Sequence, residues 1–195
     1  MENFLKSKKG KMITFLTRAC YYDLPYDENI DMTKFTSKSR MDVIHFKFDK
    51  YDLILFQGTS SLFDWIADFK MALGIKPRQF KAALKFVKEN INKDKQTYIA
   101  GHSLGGAITQ YVVHELNMDN VYGYTYNGAG AKHLLRKKRE HYKVYNYIGS
   151  RDILNRITRR LPFSYFKHIG NSCIIEDNES KNGIYAHSNF HVFMK

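Results

Sequence analysis

The chain has 195 residues, enough for one domain with a substantial core, and its 15% aromatic content, with 14 Tyr and 14 Phe, excludes a disordered polypeptide. Its two cysteines, Cys20 and Cys173, show no metal-ligand spacing, which excludes a disulfide scaffold and predicts two buried thiols. The net charge of +12 leaves three roles for a basic surface: attraction to anionic lipid, attraction to nucleic acid, or plain solvation.

Residues 1–10 are charged and lack the continuous apolar core of a secretory signal, and no apolar run elsewhere reaches membrane-spanning length. The expected location is therefore intracellular, with attachment to a membrane surface as an option. Met12, Ile13, Leu16, Ala19 and Cys20 recur at helical spacing and predict a helix over 11–22, ending near Pro25. Residues 29–39 are polar and read as loop. Val43–Phe48 and Leu53–Phe56 read as two strands joined by a turn at Asp49-Lys50. A short amphipathic helix is predicted over 62–69. A longer one starts at Pro77 and lines up Phe80, Leu84, Val87 and Ile91.

A strand over 97–101 follows, then a helix presenting Ile108, Tyr111, Val112 and Leu116 on one face. Residues 121–126 read as a strand ending at Asn127-Gly-Ala-Gly130, 131–140 as a basic helix, and 143–148 as another strand. The last fifty residues are less regular, with Cys173–Ile175 a candidate short strand. Alternation of β and α after residue 50 predicts a single-domain, three-layer α/β sandwich over 1–195 with a mainly parallel central sheet.

Between strand 97–101 and the next helix lies Gly101-His-Ser-Leu-Gly105, a G-x-S-x-G motif. Chemistry needs that spacing because a serine on a sharp strand-to-helix turn has a strained backbone and an exposed hydroxyl, and only small neighbours leave it uncrowded. A hydroxyl is a poor nucleophile until a base takes its proton, and the base needs an orienting carboxylate. On this type of fold the acid and then the histidine follow the serine in the chain. Among acids, Asp152 lies just past a strand end and is preferred to Asp119 and Asp177. His168, His187 and His191 remain as bases; His187 is preferred, with His191 the alternative. Leu104 N–H is the first expected oxyanion donor, and the Gln57-Gly-Thr59 segment, which ends an earlier strand, is where the second should lie.

Leu55-Phe-Gln-Gly-Thr-Ser-Ser-Leu-Phe-Asp-Trp-Ile-Ala-Asp-Phe69, together with Gly101-His-Ser-Leu-Gly-Gly106, resembles the class 3 lipase family, the group containing the fungal triacylglycerol lipases. The resemblance covers roughly residues 40 to 190 and implies an α/β-hydrolase fold. It implies that Thr59 supplies the second oxyanion donor, that Asp68 orients the Thr59 hydroxyl, and that a short lid helix at about 60–70 covers the acyl pocket. Leu62, Trp65, Ile66 and Phe69 form the apolar stripe such a lid needs, and Trp65 is the only tryptophan. Two departures stand out. The family's arginine before Gly58 is Gln57, and its D-x-V-P after the acid strand reads Asp152-Ile-Leu-Asn155.

The expectation is a serine carboxylic-ester hydrolase cleaving lipid acyl esters through an acyl-enzyme, with Ser103, Asp152 and His187 catalytic. It needs no cofactor and no metal. Its partners are a lipid or other acyl-ester substrate and an anionic membrane surface, ranked ahead of nucleic acid. The alternatives are a phospholipase A1 or thioesterase variant, or an idle lipase-like module binding membranes or nucleic acid through the basic face between Lys132 and Arg160.

Overall fold

A computed structural model describes residues 1–21, 31–36, 42–58, 78–135, 143–160 and 167–194. Among the described residues, seven strands form one sheet in sequence order: β1 (Asp31–Thr36), β2 (Asp42–Lys47), β3 (Tyr51–Phe56), β4 (Gln96–His102), β5 (Val121–Tyr126), β6 (Val144–Gly149) and β7 (Asn171–Ile175). The pairs β1–β2 and β2–β3 are antiparallel, and β3 through β7 run parallel. A parallel neighbour requires a crossover, which places the carboxyl ends of β3 to β6 on a single edge.

The two-residue period of the strands divides the core. Ile54 and Phe56 of β3, Ile99 of β4 and Val121 of β5 face one way, onto α3 (Arg78–Asn90) and α4 (Leu104–Leu116). Leu53, Leu55, Tyr98, Tyr124, Tyr126 and Tyr147 face the other way, onto α1 (Glu2–Lys6), α2 (Lys8–Ala19) and the closing 3-10 turn Phe190–Phe193. Many of the tyrosines thus form a buried layer, with Phe4 stacked on Tyr124 at 4.2 Å between ring centroids. Their hydroxyls are matched as burial requires: the Tyr126 hydroxyl bonds that of Thr14 (2.9 Å), Lys9 donates to Tyr98 (2.8 Å), and Tyr147 donates to the Met1 carbonyl (3.2 Å).

Helix α2 starts where Ser7 caps it, accepting the Gly10 N–H at 3.0 Å. The polar segment around residue 30 contains β1, not only loop. As the sheet's edge strand it is exposed at five of its six positions, so it lacks the apolar alternation that marks a strand, and Lys34 suits an unpaired edge. Of the basic helix expected over 131–140, the described part, 131–135, is not α-helical: the 3-10 turn Lys132–Leu134 gives way at Leu135 to extended backbone. Helix α4 is buried along its length from Leu104 to His114 and not on one face, because it lies between the sheet and α3. Cys20 is buried and Cys173 half-buried, and neither forms a disulfide. The expected lid helix lies outside the described residues.

Candidate active site

Ser103 sits between β4 and α4 with φ 56° and ψ −122°, backbone that a residue with a side chain adopts only when its surroundings enforce it. The enforcement is visible. Ser103 N–H donates to the Tyr126 carbonyl (3.3 Å), and the Ser103 carbonyl accepts from Gly106 (3.1 Å) and Ala129 (3.2 Å). A Cβ at Gly105 would stand 2.1 Å from the Phe56 carbonyl oxygen, so only glycine lets the turn press against β3. Leu104 opens α4, where a backbone N–H has no intrahelical acceptor and the dipole is positive.

His187 lies on α6 (Gly183–Ser188), which begins where the Asn182 side chain accepts the Tyr185 N–H at 2.8 Å. Its Nδ1 is 2.5 Å from Asp152 Oδ1, with both side chains buried. A carboxylate accepts, so the proton sits on Nδ1, and Nε2 is left as a buried lone pair with no hydrogen-bond partner among the described residues. Asp152 is fixed in turn. Its Oδ2 accepts the Asn155 N–H at 2.7 Å, capping α5 (Ile153–Arg160), and its own N–H donates to the Gly149 carbonyl. In the class 3 lipase pattern that the sequence resembles, position 155 is proline, which carries no N–H; here Asn155 N–H adds a bond that holds the carboxylate.

The other candidates are placed elsewhere. Asp119 is exposed and paired with Lys143 at 3.4 Å. Asp177 accepts the backbone N–H groups of Glu179 and Ser180 and the Ser180 hydroxyl, which closes its own loop. His168 Nδ1 accepts from Gln110 Nε2 (3.2 Å), and His191 is exposed on the last 3-10 turn. Thr59, Trp65, Asp68 and the lid region 60–70 lie outside the described residues, as do Arg136–Arg139 and the aromatic run 161–166.

Two contributors were missed in the sequence. Asn127, at φ 45° beyond β5, accepts the Gly149 N–H (2.8 Å) and donates to the Ala186 (3.1 Å) and His187 (3.0 Å) carbonyls, joining the acid strand to the histidine helix. The Asn-Gly-Ala-Gly stretch announced a turn but not this side chain's reach. His102 places Nε2 2.7 Å from the His187 carbonyl, and its ring packs 4.6 Å from that of His187.

Burial pushes His102 down to about 3, reinforced by the electrostatic influence of the neighbouring His187 ring, and pushes His168 down to about 4 against the opposing pull of Asp152. Unfolding releases both toward the ordinary 6.5. Between those values the unfolded chain binds more protons, so stability falls as pH drops through that window. The slope is up to about 1.4 kcal/mol per pH unit for each histidine. Urea unfolding at pH 7.5, 6 and 5 should show this decline, with a shallower one in His102→Gln; a flat profile would contradict the neutral buried rings.

The sequence model of a phospholipase-like family, the Tle-like phospholipase domain, matches residues 26–155, a span that includes the Ser103 turn and Asp152. No curated protein matches the sequence. Among solved structures, a triacylglyceride lipase from Rhizomucor miehei matches with 20% identity and a TM-score of 0.56, over 86% of this chain and 79% of that one. A triacylglycerol lipase from Penicillium expansum matches with 12% identity and a TM-score of 0.56, over 85% and 77%. A lipase from Yarrowia lipolytica matches with 16% identity and a TM-score of 0.55, over 89% and 78%. At these identities the likeness is one of fold, and the fold is the α/β-hydrolase sandwich that the sequence predicts.

Proposed function

The chain belongs to the Tle-like phospholipase domain family, and from that premise we propose that it is a serine carboxylic-ester hydrolase acting on lipid acyl esters. The observation that carries the proposal is the His187–Asp152 contact of 2.5 Å, which leaves Nε2 without a bond among the described residues, in a chain whose serine occupies a strained strand-to-helix turn. Ser103 Oγ attacks the ester carbonyl carbon while His187 Nε2 takes its proton. The oxyanion is held by Leu104 N–H and by Thr59. The C–O bond to the alcohol breaks as His187 returns the proton to the leaving oxygen. Water then attacks the acyl-serine with the same proton transfers, releasing the fatty acid and restoring Ser103.

We place the substrate in an anionic lipid surface, with phospholipid the favoured class. Support comes from exposed cations among the described residues. Lys132, Arg151 and Arg156 belong to the basic region expected between Lys132 and Arg160, Lys167 lies just beyond it, and Lys8 and Lys11 share the outward stripe of α2 with exposed Phe15. Each lysine or arginine near such a surface contributes about 1 kcal/mol. The Debye length falls from about 10 Å at 0.1 M salt to about 3 Å at 1 M, so salt should release the protein.

The test measures p-nitrophenyl esters of graded chain length beside phosphatidylcholine vesicles with and without phosphatidylserine, at low and high salt. Expected are turnover that rises with acyl length, preference for the anionic vesicles, and loss of that preference in high salt. Absence of all ester turnover, with tight DNA binding instead, would leave a binding module and refute the enzyme reading.

A further inference from the structure

We propose that Tyr21, just beyond the end of α2, is a positioning residue for this reaction: its hydroxyl ties the backbone entering Thr59 to His102, and through His102 to the backbone of His187. The proposal rests on the ester-hydrolase reading above and adds to it a residue from the opposite layer of the fold, in a segment the family match at 26–155 does not include.

The polarity of each bond supports a single chain. Gly58 N–H donates to Tyr21 Oη at 2.6 Å. The Tyr21 proton then faces two acceptors on one residue, His102 Nδ1 at 3.3 Å and the His102 carbonyl at 3.4 Å. At its other nitrogen, His102 Nε2 lies 2.7 Å from the His187 carbonyl. A carbonyl oxygen only accepts, so the proton must be on Nε2, and Nδ1 of the neutral ring is left to accept from Tyr21. Burial keeps the ring neutral, with a value near 3. Donation therefore runs one way, from Gly58 to Tyr21 to His102 to His187.

Geometry explains why the hydroxyl matters at this point. Gly58 directly precedes Thr59, so an anchor on its N–H fixes the chain one residue before the expected oxyanion donor. The backbone is drawn in closely: a Cβ at Gly58 would meet Tyr21 Oη at 2.6 Å and the His102 carbonyl oxygen at 2.8 Å. The Tyr21 ring stands edge-on to His102, with centroids 5.6 Å apart and planes at 84°. His102 in turn packs between His187 and Phe190, at 4.6 and 5.0 Å. The residue directly before the nucleophile thus couples the oxyanion side of the site to its base. Misplacement of either partner by about 1 Å costs on the order of 100-fold in rate. The competing explanation is that Tyr21 merely satisfies a buried N–H, in which case its loss lowers stability and leaves the folded enzyme's turnover unchanged.

The discriminating variant is Tyr21→Phe, which keeps the ring and removes the oxygen. With p-nitrophenyl butyrate, a soluble substrate, kcat should fall about 10- to 100-fold while KM stays within about twofold. The rate of Ser103 labelling by a fluorophosphonate should fall by a similar factor, because that reaction also develops charge in the oxyanion hole. Unchanged kcat and labelling rate in folded Tyr21→Phe would overturn the proposal. Should that variant fail to fold, His102 supplies the second comparison. His102→Gln retains an N–H donor for the His187 carbonyl and should outperform His102→Leu at equal thermal stability; equal activities would be a refutation. Wild-type turnover that depends on Ser103 is established first. Its absence sinks the ester-hydrolase reading together with this proposal, whereas normal wild-type turnover with an indifferent Tyr21→Phe sinks this proposal alone.

Discussion

Ser103→Ala should lower kcat on a soluble ester by about 10⁴-fold or more, with KM little changed. The size follows from what is removed. In the proposed reaction, without Oγ there is no atom to form the acyl-enzyme, and His187 Nε2 has no proton to take; only binding and the oxyanion donors would remain, which sustain a small residual rate. Folding should survive, because alanine keeps the Cβ that the turn already accommodates, and the bonds fixing residue 103 come from its backbone: N–H to Tyr126, carbonyl from Gly106 and Ala129. The strain offers a second readout. At φ 56° and ψ −122°, Ser103→Gly relieves a conformation that costs a residue with a side chain on the order of 1–3 kcal/mol, so that variant should be inactive yet more stable than Ser103→Ala. Fluorophosphonate labelling that persists in Ser103→Ala would place the nucleophile elsewhere.

How much of this was legible in the sequence depended on whether a residue's role showed in its neighbours along the chain. The strands β2 to β6 announce themselves through short apolar runs, and the Ser103 turn through glycines at fixed spacing, since those constraints are local. Asp152 and His187 were reachable by chain order and by position beyond a strand end. The edge strand β1 was not, because an exposed strand buries no alternate face and so carries no period. Helices α1, α5 and α6 were missed for a related reason: each is short, and α5 and α6 begin at side-chain caps, Asp152 and Asn182, whose role appears only once the acceptor geometry exists. Asn127 and Tyr21 lay furthest from view. Their partners are 22 and 59–60 residues away for Asn127, and 37 and 81 for Tyr21, and no local pattern encodes such contacts.

His187→Ala should match Ser103→Ala, losing about 10⁴-fold or more in kcat, while His191→Ala should remain within a few-fold of wild type. The contrast is a strong test because the two histidines are four residues apart and differ only in what they face. His187 is buried with Nδ1 against Asp152, and His191 is exposed on the turn that ends the described chain. Losses of equal size from both, or a larger loss at His191, would reverse the assignment. Asp152→Asn asks a sharper question at the same point. A carboxamide presenting its NH₂ group to His187 Nδ1 favours the tautomer with the proton on Nε2, the nitrogen that must accept from Ser103, so a loss of about 10⁴-fold is expected with little change in fold. If Asp152 only packed the loop, the asparagine would keep most activity, since its carbonyl can still cap α5 by accepting the Asn155 N–H. The Ser103→Ala/His187→Ala double variant should then be no slower than either single variant, because once Ser103 is gone the base has no partner to act upon. Additive losses would mean that His187 acts on something other than the serine.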